Sequence, residues 1–285
     1  MLKMGNSKSD LEERNATPIE YNPENGLILK GYHIPEEIVG EIFKKLPPHE
    51  RLRSRLVCKR WNEIIIYILY NKYNKYFKTH YTPETLPVDL CYITLFSKRI
   101  RQNLLKNVNG EESFKYWKIL ANGGDGIVVE DLPYGSDELP EGVEEFNGNT
   151  SCFATSYGLG HKEQVIMVSK DKHLSHVINM YKPHIYVSEW VAARFDCGAK
   201  YSMVVKIVCK NKEFVEERLV HREEQWLGRA WSKKEIIIKK YPDDVEKIIF
   251  RHSAQDTQFW KGHYGMKMAG AVIKLLIDPA HTTNE

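Results

Sequence analysis

The chain lacks most of the features that mark secreted, membrane-spanning or metal-dependent proteins. Its five cysteines (Cys58, Cys91, Cys152, Cys197, Cys209) are odd in number, scattered, and never spaced as Cys-x-x-Cys. That argues against a disulfide framework or a zinc ribbon and for a reducing compartment. The longest strongly apolar run, Ile64 to Tyr70, falls far short of the ~20 residues a spanning helix needs. Residues 1–20 are polar, so no signal peptide is expected and the chain reads as cytoplasmic. His161, His173, His176, His252 and His263 lack zinc-ligand spacing beside a cysteine, so neither a metal nor a cofactor is expected. No cysteine sits beside a histidine in a catalytic motif. The acidic pairs Asp243-Asp244 and Glu144-Glu145 stand in turn-like or acidic loop contexts. The chain therefore reads as non-enzymatic, with no catalytic residues.

What is present is a chain of 285 residues with 42% hydrophobic content, enough for a real core in two domains or one large one. The net charge of +3 is unevenly spread. Residues 31–106 carry +7, residues 1–30 carry −1, and the remainder about −3. A basic stretch before a mildly acidic one suggests an acidic partner for the first part. Its basic residues are not interleaved with aromatics, and no nucleic-acid motif is present, so nucleic acid is not expected as a partner.

Residues 1–30 are rich in Ser, Asn, Glu and Pro and read as a flexible tail. Within it, Met4-Gly5-Asn6-Ser7-Lys8-Ser9 would be a myristoylation start only if translation began at Met4. Asn15-Ala16-Thr17 is a sequon, as is Asn149-Thr150-Ser151 farther on. Residues 31–78 read as three short helices. Ile34, Ile38, Ile42 and Leu46 recur every four residues and mark one helical face. Pro35 sits at the start, and Pro47-Pro48 ends the run because a residue before proline avoids the α region. Leu52 and Leu56 line a second helix; Trp61, Ile64, Ile65 and Ile68 line a third that runs on towards Tyr70. So small a unit has no self-sufficient core: either it packs as a helical hairpin on the rest of the chain, or it leaves Pro35, Ile38, Leu46 and Pro47 for a partner.

Residues 79–106 form a connector with an apolar stretch, Leu90 to Phe96, and a short helix at Lys98-Arg99-Ile100-Arg101. From residue 107 to 279 the period changes. Short β-rich runs begin at Ile127, Cys152, Gln164, Ile185, Tyr201, Phe214, Glu235, Val245 and Ala271. Between them stand turn signals such as Asn122-Gly123-Gly124-Asp125-Gly126 and Asp196-Cys197-Gly198. Such spacing predicts an antiparallel β-sandwich. Residues 280–285 read as a tail.

The helical stretch, with its proline stop and closing Trp61, resembles an F-box, the module that plugs a substrate receptor into a cullin-type ubiquitin ligase. The second domain carries Gly123-Gly124-Asp125-Gly126, Phe153-Ala154-Thr155-Ser156-Tyr157, Asp196-Cys197-Gly198 and Phe259-Trp260-Lys261-Gly262-His263-Tyr264-Gly265. In this order the blocks resemble the F-box-associated domain of the sugar-recognising F-box proteins, the Fbs group. The resemblance implies a multidomain α plus β protein: a three-helix F-box, a helical linker and a jelly-roll-like sandwich of about ten strands. It implies a Skp1-like adaptor and a cullin as partners, and the chitobiose core of high-mannose N-glycans on misfolded glycoproteins as cargo. Matched by motif, the glycan contacts fall on Tyr157, Asp196, Phe259, Trp260 and Lys261. Aromatic faces suit the C–H faces of a sugar; Asp196 accepts hydrogen bonds and Lys261 donates them. The chain departs from the family pattern twice, with Phe259 where Tyr is usual and Tyr157 where Phe is usual. A second reading keeps the adaptor but has the sandwich loops recognise a protein determinant without any glycan.

Overall fold

The computed structural model describes residue 22 and residues 25–277. The Met4 start, the Asn15 sequon and the 280–285 tail lie outside the described residues. The chain divides into two units, residues 1–79 and 80–285.

The first unit opens with a hairpin, β1 (Ile28–Leu29) against β2 (Tyr32–His33), turned at Lys30 and Gly31, both at positive φ. Three helices follow: α1 (Glu36–Lys45), α2 (Pro48–Ser54) and α3 (Lys59–Phe77). Pro35 occupies the N-cap of α1, and Leu46 ends that helix in an extended conformation ahead of Pro47. The core is built from Leu27, Val39, Phe43, Ile64, Ile65 and Ile68, with Ile34, Leu46 and Trp61 packed against it. Trp61 stands edge-on to Phe43 at 5.0 Å and donates its indole N–H to the Gly26 carbonyl at 2.6 Å.

Two sequence expectations differ from the fold, and a third pattern is resolved by it. Residues 25–30 are not a flexible tail, because Leu27 enters the core and Gly26 holds Trp61. The four-residue stripe divides: Ile34 and Leu46 pack against the core, Ile38 and Ile42 are exposed, and Val39, Gly40 and Phe43 are the buried residues of α1. Leu56 lines no helix: α2 ends at Ser54, and Leu56 is 88% exposed. The chain instead seals this unit with Arg51. Its buried guanidinium donates to the carbonyls of Phe43, Lys44 and Leu46 at 2.8, 2.9 and 3.0 Å, satisfying the orphan acceptors at the end of α1.

In the second unit, residues 80–106 belong to the same compact unit as the sandwich. Helix α4 (Val88–Phe96) is followed by the single turn α5 (Lys98–Arg101). The sandwich contains β3 (Lys118–Asn122), β4 (Val128–Glu130), β5 (Cys152–Ala154), β6 (Gly160–Met167) and β7 (His184–Ala192). It continues with β8 (Ala199–Cys209), β9 (Phe214–Glu223), β10 (Ser232–Ile238), β11 (Val245–Asp256) and β12 (Lys267–Leu276). They form two five-stranded antiparallel sheets, ordered β10-β7-β12-β5-β4 and β3-β6-β11-β8-β9. The connector zips onto β12: Leu104 N–H donates to Ile273 O at 2.9 Å, and Asn103 bonds both Ala271 O and Ile273 N–H. Helix α6 (Lys172–Tyr181), unforeseen from the sequence, is capped by Asp171 and buries Leu174, Val177 and Ile178. Its Tyr181 and His176 hold Asp89 of α4 at 2.6 and 2.8 Å.

Between the sheets lies a cluster of ionisable groups. Lys162 of β6 is fully buried, its ammonium sandwiched between the rings of Trp117 and Phe153 at 3.4 and 3.3 Å. Glu189 of β7, also buried, receives the Tyr201 hydroxyl of β8 and His252 Nδ1 of β11. The His252 ring stacks on Trp117 at 4.9 Å. Burial pushes the Lys162 ammonium's pKa well below its usual range, against the pull of Glu189. Burial likewise pulls His252 down to about 4, with Glu189 opposing it, so the imidazole is neutral in the fold.

Two stability predictions follow from these networks. Arg51→Ala removes three hydrogen bonds to helix-end carbonyls, of which Phe43 O keeps the Leu46 N–H; it should lower the stability of the first unit by on the order of 2 kcal/mol. Chemical denaturation should show that loss while the second unit's transition stays in place. For His252, the unfolded chain takes up a proton below pH 6.5 that the folded chain refuses until about 4. The second unit's thermal midpoint should therefore fall as pH drops through that window and be flat above it. A melt series followed by circular dichroism would check the sign.

Candidate functional site

One end of the sandwich gathers five loops into a rim. Asp256 N–H donates to Ser156 O at 3.1 Å, Gly265 N–H to Thr155 O at 2.9 Å, and Thr257 N–H to Gly198 O at 2.9 Å. Gly123 N–H reaches Leu159 O at 3.0 Å, and the Gln225 side chain donates to Asp196 O at 3.1 Å. Two glycines make this closeness possible. A Cβ on Gly158 would overlap the Gly124 backbone, and one on Gly265 would overlap Thr155.

All five residues expected from the motifs lie on this rim. Tyr157 leaves β5 and donates its hydroxyl to Asp125 Oδ1 at 3.4 Å. Asp196 follows β7; its Oδ1 accepts from Arg194 Nε at 2.7 Å, while Oδ2 meets no donor among the described residues. Phe259, Trp260 and Lys261 follow β11, all exposed, with Phe259 at φ +58°. The loop they sit on is fixed by Asp256, whose Oδ1 accepts the Phe259 N–H at 2.6 Å. Burial pushes the Asp256 carboxyl up, and backbone N–H groups of Phe259, Gln258 and Trp260 oppose that rise.

The connections among the five run through residues that motif matching did not assign as contacts. Trp260 stands edge-on to Tyr264 at 5.7 Å. Tyr264 lies 4.2 Å from the Arg194 guanidinium, which also faces Tyr134 at 4.9 Å and pairs with Asp196. On the other side, His263 Nε2 donates to the Asp125 carbonyl at 3.3 Å, joining the Tyr157 loop to the Trp260 loop. Tyr264, His263 and Asp125 fall within the quoted sequence blocks, so their nearness was available there. Arg194 and Tyr134 carried no signal. The rim thus combines exposed aromatic faces, a half-engaged carboxylate acceptor and the donor Lys261. That set suits a flat ligand with a C–H face and hydroxyl or amide edges.

The first unit offers a separate surface. Pro35, Ile38 and Pro47 are exposed, whereas Leu46 is half-buried against the core. Ile42, Leu56 and Val57 are further exposed apolar residues of the same small unit. Among the described residues no group of three or more His, Cys, Asp or Glu side chains could hold a metal ion. No helix among them is long and apolar enough to cross a membrane.

Known families match both units. The F-box domain matches residues 32–69, and the F-box associated region matches residues 95–275. F-box only protein 6 of Rattus norvegicus is 32% identical over 248 residues, covering 84% of this chain and 84% of that protein. F-box only protein 44 of Homo sapiens is 30% identical over 250 residues, covering 85% and 95%. The carbohydrate-binding module TmCBM61, solved with β-1,4-galactotriose, aligns over 61% of this chain and 99% of its own, with 14% identity. Its TM-score of 0.40 is too low to build on. The two matched regions and the near full-length relatives place this chain in the family of F-box proteins that carry an F-box associated region, the family its sequence motifs resemble.

Proposed function

We propose that this protein is the substrate receptor of a Skp1–cullin–F-box ubiquitin ligase whose sandwich rim binds the chitobiose core of high-mannose N-glycans on misfolded cytoplasmic glycoproteins. The F-box and the F-box associated region support the substrate-recognition role. The glycan reading rests on one observation: Tyr157, Asp196, Phe259, Trp260 and Lys261, drawn from three distant stretches of sequence, share one rim. Trp260 and Phe259 offer stacking faces, Asp196 Oδ2 an acceptor and Lys261 a donor. The first unit, through Pro35, Ile38, Leu46 and Pro47, engages a Skp1-like adaptor and through it the cullin. Chemistry is left to other subunits; the receptor acts by raising the local concentration of target lysines.

The two departures from the family pattern fit this reading. The added hydroxyl of Tyr157 is taken up by Asp125, so its ring stays free to stack. The hydroxyl lost at Phe259 would have stood on an exposed ring, where water replaces it at little cost. Recognition of a protein determinant instead draws its support from Asp196, whose Oδ1 is already committed to Arg194.

Immobilised chitobiose and a purified Skp1-like adaptor separate the two surfaces. Trp260→Ala should lose glycan retention by about tenfold or more and keep adaptor binding; Ile38→Asp should do the reverse. Unchanged retention by Trp260→Ala would remove the glycan site from this rim. Asp256→Ala touches no ligand, yet it releases the backbone of the Phe259–Trp260 loop. It should weaken glycan binding by roughly the same direction and several-fold in size, with hydrogen exchange rising selectively at residues 257–261.

A further inference from the structure

The rim bears a second exposed apolar patch that the proposed sugar contacts do not use. Trp226 and Leu227, between β9 and β10, are 67% and 76% exposed. The Trp226 ring lies 6.5 Å from that of Phe195, which is exposed as well. Trp226 adopts φ +69°, a left-handed conformation that is strained for a bulky residue. Its loop is nonetheless held fast. Gln225 donates to the Asp196 carbonyl at 3.1 Å, and a Cβ on Gly228 would lie 3.1 Å from that of Ala193. A strained aromatic is thus displayed from a pinned frame whose neighbouring Gln225 is bonded to the backbone of Asp196.

The chemistry of the patch selects its occupant. The polar side chains flanking it are already committed: Glu223 to His221 at 2.8 Å, Glu224 to Arg222 at 2.7 Å, and Gln225 to Asp196. A further sugar ring would bring hydroxyls needing directional partners. Phe195, Trp226 and Leu227 present carbon apart from the single indole N–H of Trp226, which suits apolar side chains. Folded proteins seldom show contiguous apolar surface, whereas an unfolded chain does. Resting on the glycan reading above, we propose that Phe195, Trp226 and Leu227 form a subsite for apolar side chains of an unfolded polypeptide next to the glycosylated asparagine. The rim then reads two signals at once: the sugar core, and the loss of fold around its attachment point.

The full-length chain can be titrated with four probes: free chitobiose, a chitobiosyl-asparagine peptide flanked by Leu and Phe, the same peptide flanked by Ser and Gly, and the unglycosylated Leu/Phe peptide. The apolar-flanked glycopeptide should bind about tenfold more tightly than the polar-flanked one. Trp226→Asn, which accepts the positive φ, and Leu227→Ser should each erase most of that gap and leave free chitobiose binding unchanged. Equal binding of the two glycopeptides by the unmodified chain overturns the subsite while the glycan reading stands. Loss of chitobiose binding in both variants assigns the patch to the sugar and also overturns it. If no sugar-bearing probe binds, the glycan reading fails and the subsite falls with it.

Discussion

The sandwich is organised around the clamp between Glu189, His252 and Tyr201. Glu189 belongs to one sheet; His252 and Tyr201 belong to the other. A buried carboxylate with these two donors fits only one relative placement of β7, β8 and β11. Phe153 of β5 joins through the Lys162 ammonium, which has Trp117 on its other side. Apolar packing alone would tolerate small slips, because one aliphatic contact can replace another. An unpaired charge in the same place would cost several kcal/mol. The clamp therefore selects register, and register decides what the strand ends carry: β5 leads to Tyr157, β7 to Asp196, β11 to Asp256 and Trp260.

That logic explains what was and was not legible in the sequence. The helical module, the connector helix and nine of the sandwich strands could be read from periodicity and turn residues. The strand β3 was missed because its residues are mostly exposed, so Lys118–Asn122 shows no clean alternation. Helix α6 was missed although Asp171 and the Leu174, Val177, Ile178 spacing are ordinary signals, because the run is short and lies between strong strands. The stripe at Ile34, Ile38, Ile42 and Leu46 was found, but in the fold it is split between ends packed on the core and the exposed Ile38 and Ile42. Spacing shows that residues share a face; it does not say whether the neighbour on that face belongs to the same chain. The interior charges were beyond reach for a related reason. Lys162 sits in Gly160-His161-Lys162-Glu163, where composition suggests a solvated edge, and only the paired rings of Trp117 and Phe153 make its burial tolerable.

The candidate rim was legible as a set of blocks but not as a mechanism of assembly. Motif order identified Tyr157, Asp196, Phe259, Trp260 and Lys261. It gave no hint that Arg194 ties Asp196 to Tyr264, or that Asp125 receives the Tyr157 hydroxyl. These intermediates decide the electrostatics. Arg194 holds Oδ1 of Asp196, leaving Oδ2 without a donor among the described residues. A single fixed acceptor between aromatic faces favours ligands whose donors lie at the edge of a flat apolar body. It disfavours a cation, which Arg194 and Lys261 would repel.

Two of the rim's exposed aromatics, Phe259 and Trp226, hold positive φ angles. Each such residue carries on the order of 1 kcal/mol of backbone strain, and each leaves a large ring in water. Neither cost benefits the isolated fold. Both loops are also anchored more firmly than exposed loops require, one by Asp256 and the other by Gln225 and the close packing of Gly228. Strain persists only where the surroundings over-determine it. Here those surroundings are the hydrogen bonds from Asp256 and Gln225 and the packing at Gly228. A ring held rigid in solvent loses little freedom when a ligand covers it, so its burial converts more fully into affinity. In the proposed reading, the stability given up at the rim is recovered on binding. Asp196 is tied to the Trp226 loop through Gln225 and to the Trp260 loop through Arg194 and Tyr264; on the same reading the first loop serves the polypeptide and the second the sugar.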